Sequence, residues 1–381
     1  MAVNVNEIIA DFRMADAQAY LENYQFSDLQ YATLFPEQYR PGLTWKSIEA
    51  QLGATVMADV VSFNSRAPRK GRPTPGKASG DMPKIEIARD KVETDFNEYR
   101  ALMNDLGGVN NAGARSNILQ QIIDWRYEDG PFAVNGVRAR LEWMSKRMAS
   151  TGGYELTLVN NEAGVQTTQS VNFGIPEAQI VDVTTPWTDA ENADPIADIR
   201  ARAKAARAVG RRLQYMFMDQ ETFELMAANA KVQLFTTTYV AAALGLQQTP
   251  TLQTLNTGLS AQGLPTIIVW ESNVVAEGKD GSQNTITGWR KGNVTFSETA
   301  QLGNVQYTLS ADEYVNAGVA TKTKSGIVLV KTWGLEDPIT VITKGTAYAT
   351  PVLNNSKNLH ILRTQPDAPD EDAVVEEVPV G

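Results

Sequence analysis

Apolar residues recur at every third or fourth position in several stretches of the chain, which is the spacing of a helix with one buried face. The clearest stretch is Pro131–Ser150, whose apolar face consists of Val134, Val137, Leu141, Met144 and Met148. Proline suits the first turn of such a helix, and Gly152 follows its last turn. The same spacing predicts further helices over residues 5–22, 92–105, 115–127, 195–209 and 220–231, the last one capped by Asp219.

Short apolar runs between glycine- and proline-containing turns predict strands in the rest of the chain. We expect them over residues 54–63, 82–87, 154–159, 166–173, 213–218, 266–270, 293–297, 305–309, 327–332, 339–342 and 347–353. Residues 160–164 (NNEAG) have the composition of a hairpin turn, and a polar hairpin over 273–286 turns at Gly278–Gly281. Together these elements predict an α+β fold with a long hairpin after the helix at 131–150.

The segment Arg66–Lys77 carries five positive charges and no negative charge in twelve residues: Arg66, Arg69, Lys70, Arg72 and Lys77. Its three prolines exclude a helix, and its neighbours on both sides have strand-like patterns. A basic hairpin of this kind needs a surface outside its own subunit. In a chain that is acidic elsewhere, we expect a second copy of the same chain to supply that surface.

Aromatic residues are dense before this hairpin, with six of them in 22 residues: Tyr24, Phe26, Tyr31, Phe35, Tyr39 and Trp45. They have little regular periodicity, which predicts an extended arm that is anchored ring by ring. The rings could pack on the chain's own body or on a neighbouring subunit. We take Tyr31, Phe35, Tyr39 and Trp45 as candidate anchors between subunits.

The composition excludes many kinds of chemistry. The 381 residues include no cysteine and a single histidine, His360, so disulfides, thiolate nucleophiles and two-histidine metal motifs are excluded. The net charge is −10, of which six negative charges lie in residues 365–381, a segment with the composition of a disordered tail. The remaining body, at −4, has no global preference for nucleic acid.

Neither membrane insertion nor secretion is expected. The longest apolar run, Tyr239–Leu246, is far too short to span a bilayer. Residues 1–9 lack the basic segment of a signal peptide, so we expect a protein that is made in a cytoplasm.

Two motifs could suggest binding of phosphate groups. Residues 71–78 (GRPTPGKA) nearly match a phosphate-binding loop, but Ala78 lacks the hydroxyl that would contact Mg²⁺ and Pro83 disfavours the helix that should follow. Arg200, Lys204, Arg207 and Arg211 share one helix face, but no stacking aromatic residues lie between them. We interpret the first motif as a flexible basic loop and the second as a solvated or subunit-facing surface.

Acidic pairs occur at Asp189 and Glu191, at Asp312 and Glu313, and at Glu336 and Asp337. All of them lie in loop-like sequence, where carboxylates are usually solvated. We also expect His360 to lie on the surface. The residues therefore predict no catalytic site, cofactor site or metal site, and we do not expect the chain to be an enzyme.

The order of the parts is informative: arm, basic hairpin, helical segment, long hairpin, compact α/β region and returning strands. This order resembles the HK97-type major capsid proteins of tailed phages, and within them the phage major capsid protein E family, the lambda-like group. The closest local likeness is Asp198–Leu234, particularly Leu213–Phe223 (LQYMFMDQETF), which is similar to the strand–Asp–helix step of the family's axial (A) domain. Further pieces resemble the extended loop, the spine helix and the last peripheral strand: Gln51–Arg72, Leu141–Thr157 and Ile339–Leu353.

The resemblance implies a division of the chain. Its regions would be an N-terminal helix and extended arm (1–50), an E-loop β-hairpin (51–90), a peripheral (P) domain with spine helix and long β-hairpin (91–190), an A domain with a central β-sheet flanked by helices (191–320), strands returning to the P domain (321–360), and a disordered acidic tail (361–381).

The resemblance also implies a mechanical function. Copies of the chain would form pentamers and hexamers that tile an icosahedral shell around packaged phage DNA, without sequence-specific binding and without a cofactor. The partners would be the chain itself and scaffold, portal and decoration proteins, with assembly in the host bacterial cytoplasm and a final location in the virion. Lys70, Lys77 or Lys84 could crosslink to a neighbour, although the residues identify no partner for such a bond.

Two alternatives stay open at this point. An encapsulin-like nanocompartment would share the fold but would enclose protein cargo rather than a genome. A monomeric ligand-binding or enzymatic α+β protein would instead place several of the seven tryptophans around a pocket.

Overall fold

The computed structural model of the chain describes residues 14–26, 28–49, 76–156, 160–161, 169–237, 249–278, 281–315 and 320–370. Helices there are α1 (Met14–Asn23), α2 (Tyr31–Leu34), α3 (Glu93–Gly108), α4 (Ala112–Tyr127), α5 (Asp129–Thr151), α6 (Pro195–Ala208), α7 (Gln220–Ala228), α8 (Ala230–Thr236), α9 (Leu252–Ala261) and α10 (Ala311–Tyr314).

The strands of the described ranges are β1 (Glu37–Tyr39), β2 (Thr44–Glu49), β3 (Gly76–Asp81), β4 (Lys84–Lys91), β5 (Gly153–Leu156), β6 (Gln169–Asn172), β7 (Ile180–Asp182), β8 (Tyr215–Met218), β9 (Thr266–Val269), β10 (Val274–Glu277), β11 (Gln283–Ile286), β12 (Asn293–Ser297), β13 (Gly303–Thr308), β14 (Thr321–Ser325), β15 (Val328–Glu336), β16 (Ile339–Leu353) and β17 (His360–Arg363). The predicted strand over 54–63 lies outside the described residues.

Two sheets organise the molecule. The main sheet has the order β1-β13-β16-β15-β14, with β4 also paired to β16, and the second sheet has the order β7-β17-β12-β8-β9. Three separate pairs, β2–β3, β5–β6 and β10–β11, form antiparallel ribbons. The mixture of helices and sheets confirms the predicted α+β class.

The long helix α5 lies across the main sheet, and the amphipathic pattern of its sequence is the reason. Val134, Val137, Leu141, Met144 and Met148 are all fully buried. The helix ends at Gly152, whose φ of +84° is readily adopted only by glycine. The prediction for residues 131–150 is therefore confirmed, as is the break before it, because α4 ends at Tyr127 and Pro131 lies in the first turn of α5.

The central strand of the main sheet, β16, corrects one prediction. The sequence predicts two strands, over 339–342 and 347–353, with residues 343–346, which include Gly345, left between them. The structure has one continuous strand of 15 residues that crosses beneath α5. At Gly345 a β-carbon would lie 2.6 Å from the carbonyl oxygen of Ala133 in α5, so the glycine permits close packing rather than a turn.

A second correction concerns the helix predicted over 220–231. Asp219 caps α7 as predicted, with its carboxylate accepting a bond from the Thr222 amide. The helix nevertheless ends at Ala228, because the side chain of Asn229 caps a new helix, α8, by accepting from the amides of Lys231 and Val232. The side-chain amide of Asn229 also donates to the carbonyls of Ala190 and Ala193, which fixes the break in place.

The end of the chain corrects two further predictions. His360 was expected on the surface, but it is only 5% exposed in β17, between β7 and β12 of the second sheet. The predicted tail over 361–381 is wrong in its first residues, because Ile361 and Leu362 are core residues of the same strand. Further on, Asp370 binds Arg147 of α5, with 2.6 Å between Oδ1 and Nη1, and residues 371–381 lie outside the described part of the chain.

Candidate subunit-contact surfaces

The last two residues of the basic hairpin predicted over Arg66–Lys77 lie in β3, which belongs to a two-stranded ribbon. Strands β2 and β3 pair in antiparallel register, with Trp45 opposite Gly80 and Ile48 opposite Lys77. Arg66, Arg69, Lys70 and Arg72 lie outside the described residues, and for Lys77 only the backbone, in β3, is described. Contact between these five cations and a neighbouring subunit therefore stays a prediction, and the described part of this region is the β2–β3 ribbon.

The four candidate aromatic anchors divide into two groups. Tyr31, Phe35 and Trp45 are 3%, 0% and 5% exposed and belong to the core of their own chain, so they are not available as anchors on a neighbour. Tyr39 differs, because it lies on the outer strand β1 with half of its side chain exposed and its ring 5.8 Å from that of Tyr307. The spacing of the aromatic residues could not separate these groups. The arm is not one extended segment, because it contains the short helix α2 and the strands β1 and β2.

The basic face on α6 is partly available. Arg200, Lys204 and Arg207 are exposed, as a subunit-facing or solvated surface requires. Arg211 lies beyond the helix and is partly buried, with Nη1 donating to the carbonyl of Lys357 at 2.6 Å. Arg211 therefore has a structural role in its own subunit, and the other three residues remain candidates for contact between copies.

A buried polar cluster, which was not predicted from the sequence, joins three distant parts of the chain. Glu142 of α5 is fully buried, and its carboxylate accepts bonds from the amide of Tyr31 at 2.8 Å, the indole of Trp270 and the hydroxyl of Ser272. Lys146, one turn further along α5, donates to the carbonyl of Ser272. Burial lowers the pKa of Lys146 to about 8. The signal in the sequence was a Glu–Lys pair four residues apart on an otherwise apolar face.

Charged residues also cross the face of the main sheet that is turned away from α5. Lys322, Lys331 and Lys344 are direct cross-strand neighbours in β14, β15 and β16. All three contact Asp312 of α10, whose carboxylate lies 3.1 Å from Lys331 Nζ and 3.3 Å from Lys344 Nζ. Hydrogen bonds from these two lysines hold the pKa of Asp312 below its usual value. The prediction that Asp312 is a solvated loop acid is therefore wrong, because it lies in α10 and its carboxylate bonds two of three adjacent lysines.

Across the described residues, no group of three or more histidine, aspartate or glutamate side chains is arranged to hold a metal ion. Every helix in the same ranges is too short or too polar to cross a membrane. The candidate contact features there are the paired ribbon β2–β3, the exposed ring of Tyr39 and the basic face of α6.

Comparison with known proteins finds one matching family and several similar structures. The family described as phage major capsid protein E matches the chain over residues 26–362. A structure described as a capsid protein of a prophage from E. coli CFT073 has a TM-score of 0.53 at 14% identity, covering 95% of this chain and 99% of its own. A phage-related protein from Bordetella bronchiseptica RB50 has a TM-score of 0.51 at 13% identity, with coverages of 92% and 97%. No curated protein matches the sequence.

The long helix on the main sheet, the second sheet flanked by helices and the paired ribbon together define an HK97-type capsid protein fold. The chain belongs to the phage major capsid protein E family. It is therefore a structural protein of the phage virion, and copies of it assemble into the capsid shell.

Proposed function

We propose that the chain forms pentamers and hexamers that tile an icosahedral shell around a double-stranded DNA genome. The family match over residues 26–362 carries this proposal. It also favours a phage shell over a nanocompartment and over a monomeric enzyme, so we assign no catalytic activity and no cofactor. Scaffold and portal proteins are the expected partners during assembly, and a decoration protein is a further candidate.

The domain assignment follows from the same proposal. Residues 51–90 would form the E-loop, 91–190 the P domain with α5 as spine helix, 191–320 the A domain, and residues 321–360 the strands that return to the P domain. The packing of β16 against α5 supports the last of these assignments, because a β-carbon at Gly345 would lie 2.6 Å from the carbonyl oxygen of Ala133 in the proposed spine helix. The ribbon β2–β3 would be the root of the E-loop, with β2 (Thr44–Glu49) added to the assigned range as the partner strand of β3. The hairpin β10–β11 would lie near the symmetry axes of the capsomers.

Contact between copies would be concentrated in exposed residues. The candidates are the cations of the basic hairpin (Arg66, Arg69, Lys70, Arg72 and Lys77), the ring of Tyr39, and Arg200, Lys204 and Arg207 on α6. A single exposed ion pair contributes about 0–1 kcal/mol, so shell stability would come from many repeated contacts. A body with a modest net charge of −4 would leave the packaged DNA weakly held, which suits packaging and release.

Deletion of Arg66–Lys77 tests this proposal, with Gly-Ser residues joining Ser65 to Ala78 of β3. We expect a folded subunit that no longer forms closed shells, as seen by light scattering and negative-stain microscopy of the same fractions. A matched variant with the five cations changed to glutamine keeps the length of the hairpin and removes only its charge. Normal shells from the deletion would contradict the E-loop assignment, whereas a wild-type chain that never forms shells would contradict the capsid function itself.

A further inference from the structure

The ribbon β2–β3 is attached to the body at three consecutive residues of β2. Their exposure alternates, with Trp45 and Ser47 buried and Lys46 exposed between them, so one face of the ribbon lies on the body. Each residue contacts a different element. An attachment of this kind constrains the direction in which the ribbon leaves the body, and residues 50–75 continue from its far end.

The most specific of the three contacts comes from Gln306 of β13. Its Oε1 accepts a bond from the Lys46 amide at 3.1 Å, and its Nε2 donates to the Lys46 carbonyl at 2.8 Å. One side-chain amide thus binds both polar groups of one residue, which is the pattern that a neighbouring strand would offer. Gln306 is only 2% exposed, and its backbone is held between β1 and β16, opposite Gln38 and Thr350.

The other two contacts lie on either side of Lys46. The ring of Trp45 lies 5.3 Å from that of Phe173 and covers Gly80, where a β-carbon would be 2.8 Å from the indole nitrogen. The hydroxyl of Ser47 donates to the carbonyl of Leu353 at the end of β16, at 3.0 Å. The ribbon is therefore fixed to β13, to β16 and to the segment after β6 within three residues.

A ribbon that is held only by its own pairing can pivot about its root. Here a pivot would separate Gln306 from Lys46 and leave the buried side-chain amide of Gln306 without these partners, which is costly. Trp45 and Ser47 alone would still allow the ribbon to slide along the sheet, because an apolar contact and a single hydroxyl bond have weak directional preferences. The two-point bond of Gln306 is the contact that defines both position and angle.

We propose that Gln306 is a positioning residue that sets the direction of the E-loop ribbon and thereby the geometry with which one copy reaches the next. This inference rests on the proposed shell function, because it assigns the effect of the ribbon's direction to assembly. Its local part, the restraint of the ribbon, can be measured on the unassembled full-length subunit.

The first test compares Gln306→Met with Thr343→Val by hydrogen exchange. Methionine keeps the volume of glutamine and removes both bonds to Lys46. Thr343 is a buried residue of the same sheet whose hydroxyl bonds Thr332 at 3.1 Å, away from the ribbon, so its variant controls for loss of a buried polar contact. We expect exchange over residues 44–49 to increase at least tenfold in Gln306→Met and to stay unchanged in Thr343→Val. Equal exchange of the ribbon in wild type and Gln306→Met would overturn the proposal.

The second test measures the diameters of shells formed by the same variants. If ribbon direction controls assembly, Gln306→Met gives a broader range of diameters or open sheets, and Thr343→Val gives wild-type shells. Uniform wild-type shells from Gln306→Met, with exchange of its ribbon increased, would overturn the effect on assembly while leaving the capsid function intact. Absence of shells from the wild-type chain would contradict the proposed function and, with it, the assembly role of Gln306, even if the exchange result held.

Discussion

The core beneath α5 and the core of the second sheet differ in the kinds of side chain that they bury. The first contains four charged side chains that are less than 5% exposed, Lys91, Asp129, Glu142 and Lys146. The second is formed by aliphatic, methionine and aromatic residues, and the titratable side chain buried beside it is His360. The contrast is therefore one of charge, because polar residues buried around the second sheet, such as Asn229 and Thr295, are uncharged.

The difference follows from how each core is assembled along the chain. Most of the second core comes from residues 183–296, whose elements follow one another and pack locally. The first core must bring the N-terminal arm, α5 and the connection after β9 together, and Glu142 bonds residues 111 and 128 positions away. Directional bonds specify that arrangement among several apolar alternatives. We infer that the buried charges serve specificity of packing more than net stability.

The largest effect is expected for Glu142→Ala. The change leaves the amide of Tyr31, the indole of Trp270 and the ammonium group of Lys146 buried without their carboxylate. Loss of one member of a buried charged cluster costs about 3–5 kcal/mol in the free energy of unfolding. Urea denaturation monitored by tryptophan fluorescence would measure it, with the exposed Glu98→Ala as control. A loss below about 1 kcal/mol would contradict the role assigned to the cluster.

The next largest effect is a dependence of the free energy of unfolding on pH, caused by His360 beside the second core. Burial, with Arg202 and Arg211 nearby, lowers the pKa of His360 to about 4 from an ordinary value of 6.5. The unfolded chain therefore binds a proton that the folded chain does not, and stability present above pH 6.5 is lost as the pH falls towards 4. The full effect is about 3 kcal/mol.

The single histidine makes this prediction easy to check, because one imidazole resonance reports its titration in the folded protein. The variant His360→Gln should lose less stability than wild type between pH 7 and pH 4.5, since any cost of the substitution itself does not depend on pH. An imidazole that titrates near 6.5 would show that this site is not buried in solution.

A smaller effect is expected at the break between α7 and α8. Asn229→Ala removes the cap of α8 and the two bonds to the segment before α6, which should cost about 1–2 kcal/mol. Asn229→Ser provides the matched control, because a serine hydroxyl can still cap α8 while the side-chain amide that donates to Ala190 and Ala193 is removed. If alanine and serine were equally destabilising, the cap would contribute nothing measurable.

The smallest effect is expected on the outer face of the main sheet. Lys331→Ala removes one of the three lysines around Asp312 and also relieves repulsion between neighbours, so the unfolding free energy should change by less than about 1 kcal/mol. High salt should reduce even that difference. A loss as large as that at Glu142 would mean that this exposed network, rather than the buried one, organises the first core.

Much of the fold was accessible from the sequence where the signal is local. The apolar spacing of residues 131–150 predicted α5 to within two residues at each end, and Asp219 identified the start of α7. The overall order of parts was sufficient to suggest the capsid family that the chain belongs to.

What could not be predicted depends on distant contacts. Gly345 resembles a strand break until α5 is placed above it, and His360 resembles a surface residue until β17 is inserted between β7 and β12. Among the candidate contact residues, burial of Tyr31, Phe35 and Trp45 follows from the turn of the arm around α2, which no periodicity signals. Gln306 had no signal at all, because its significance arises from Lys46, 260 positions earlier.

The most direct test of the account is electron cryomicroscopy of the particles that the full-length chain forms on expression, with scaffold protein supplied if the chain alone stays unassembled. We predict closed icosahedral shells in which residues 66–77 of one copy lie on the next and the ring of Tyr39 is covered, while Tyr31, Phe35 and Trp45 stay inside their own subunit. A chain that remains a 41.6 kDa monomer with scaffold present would contradict the central claim.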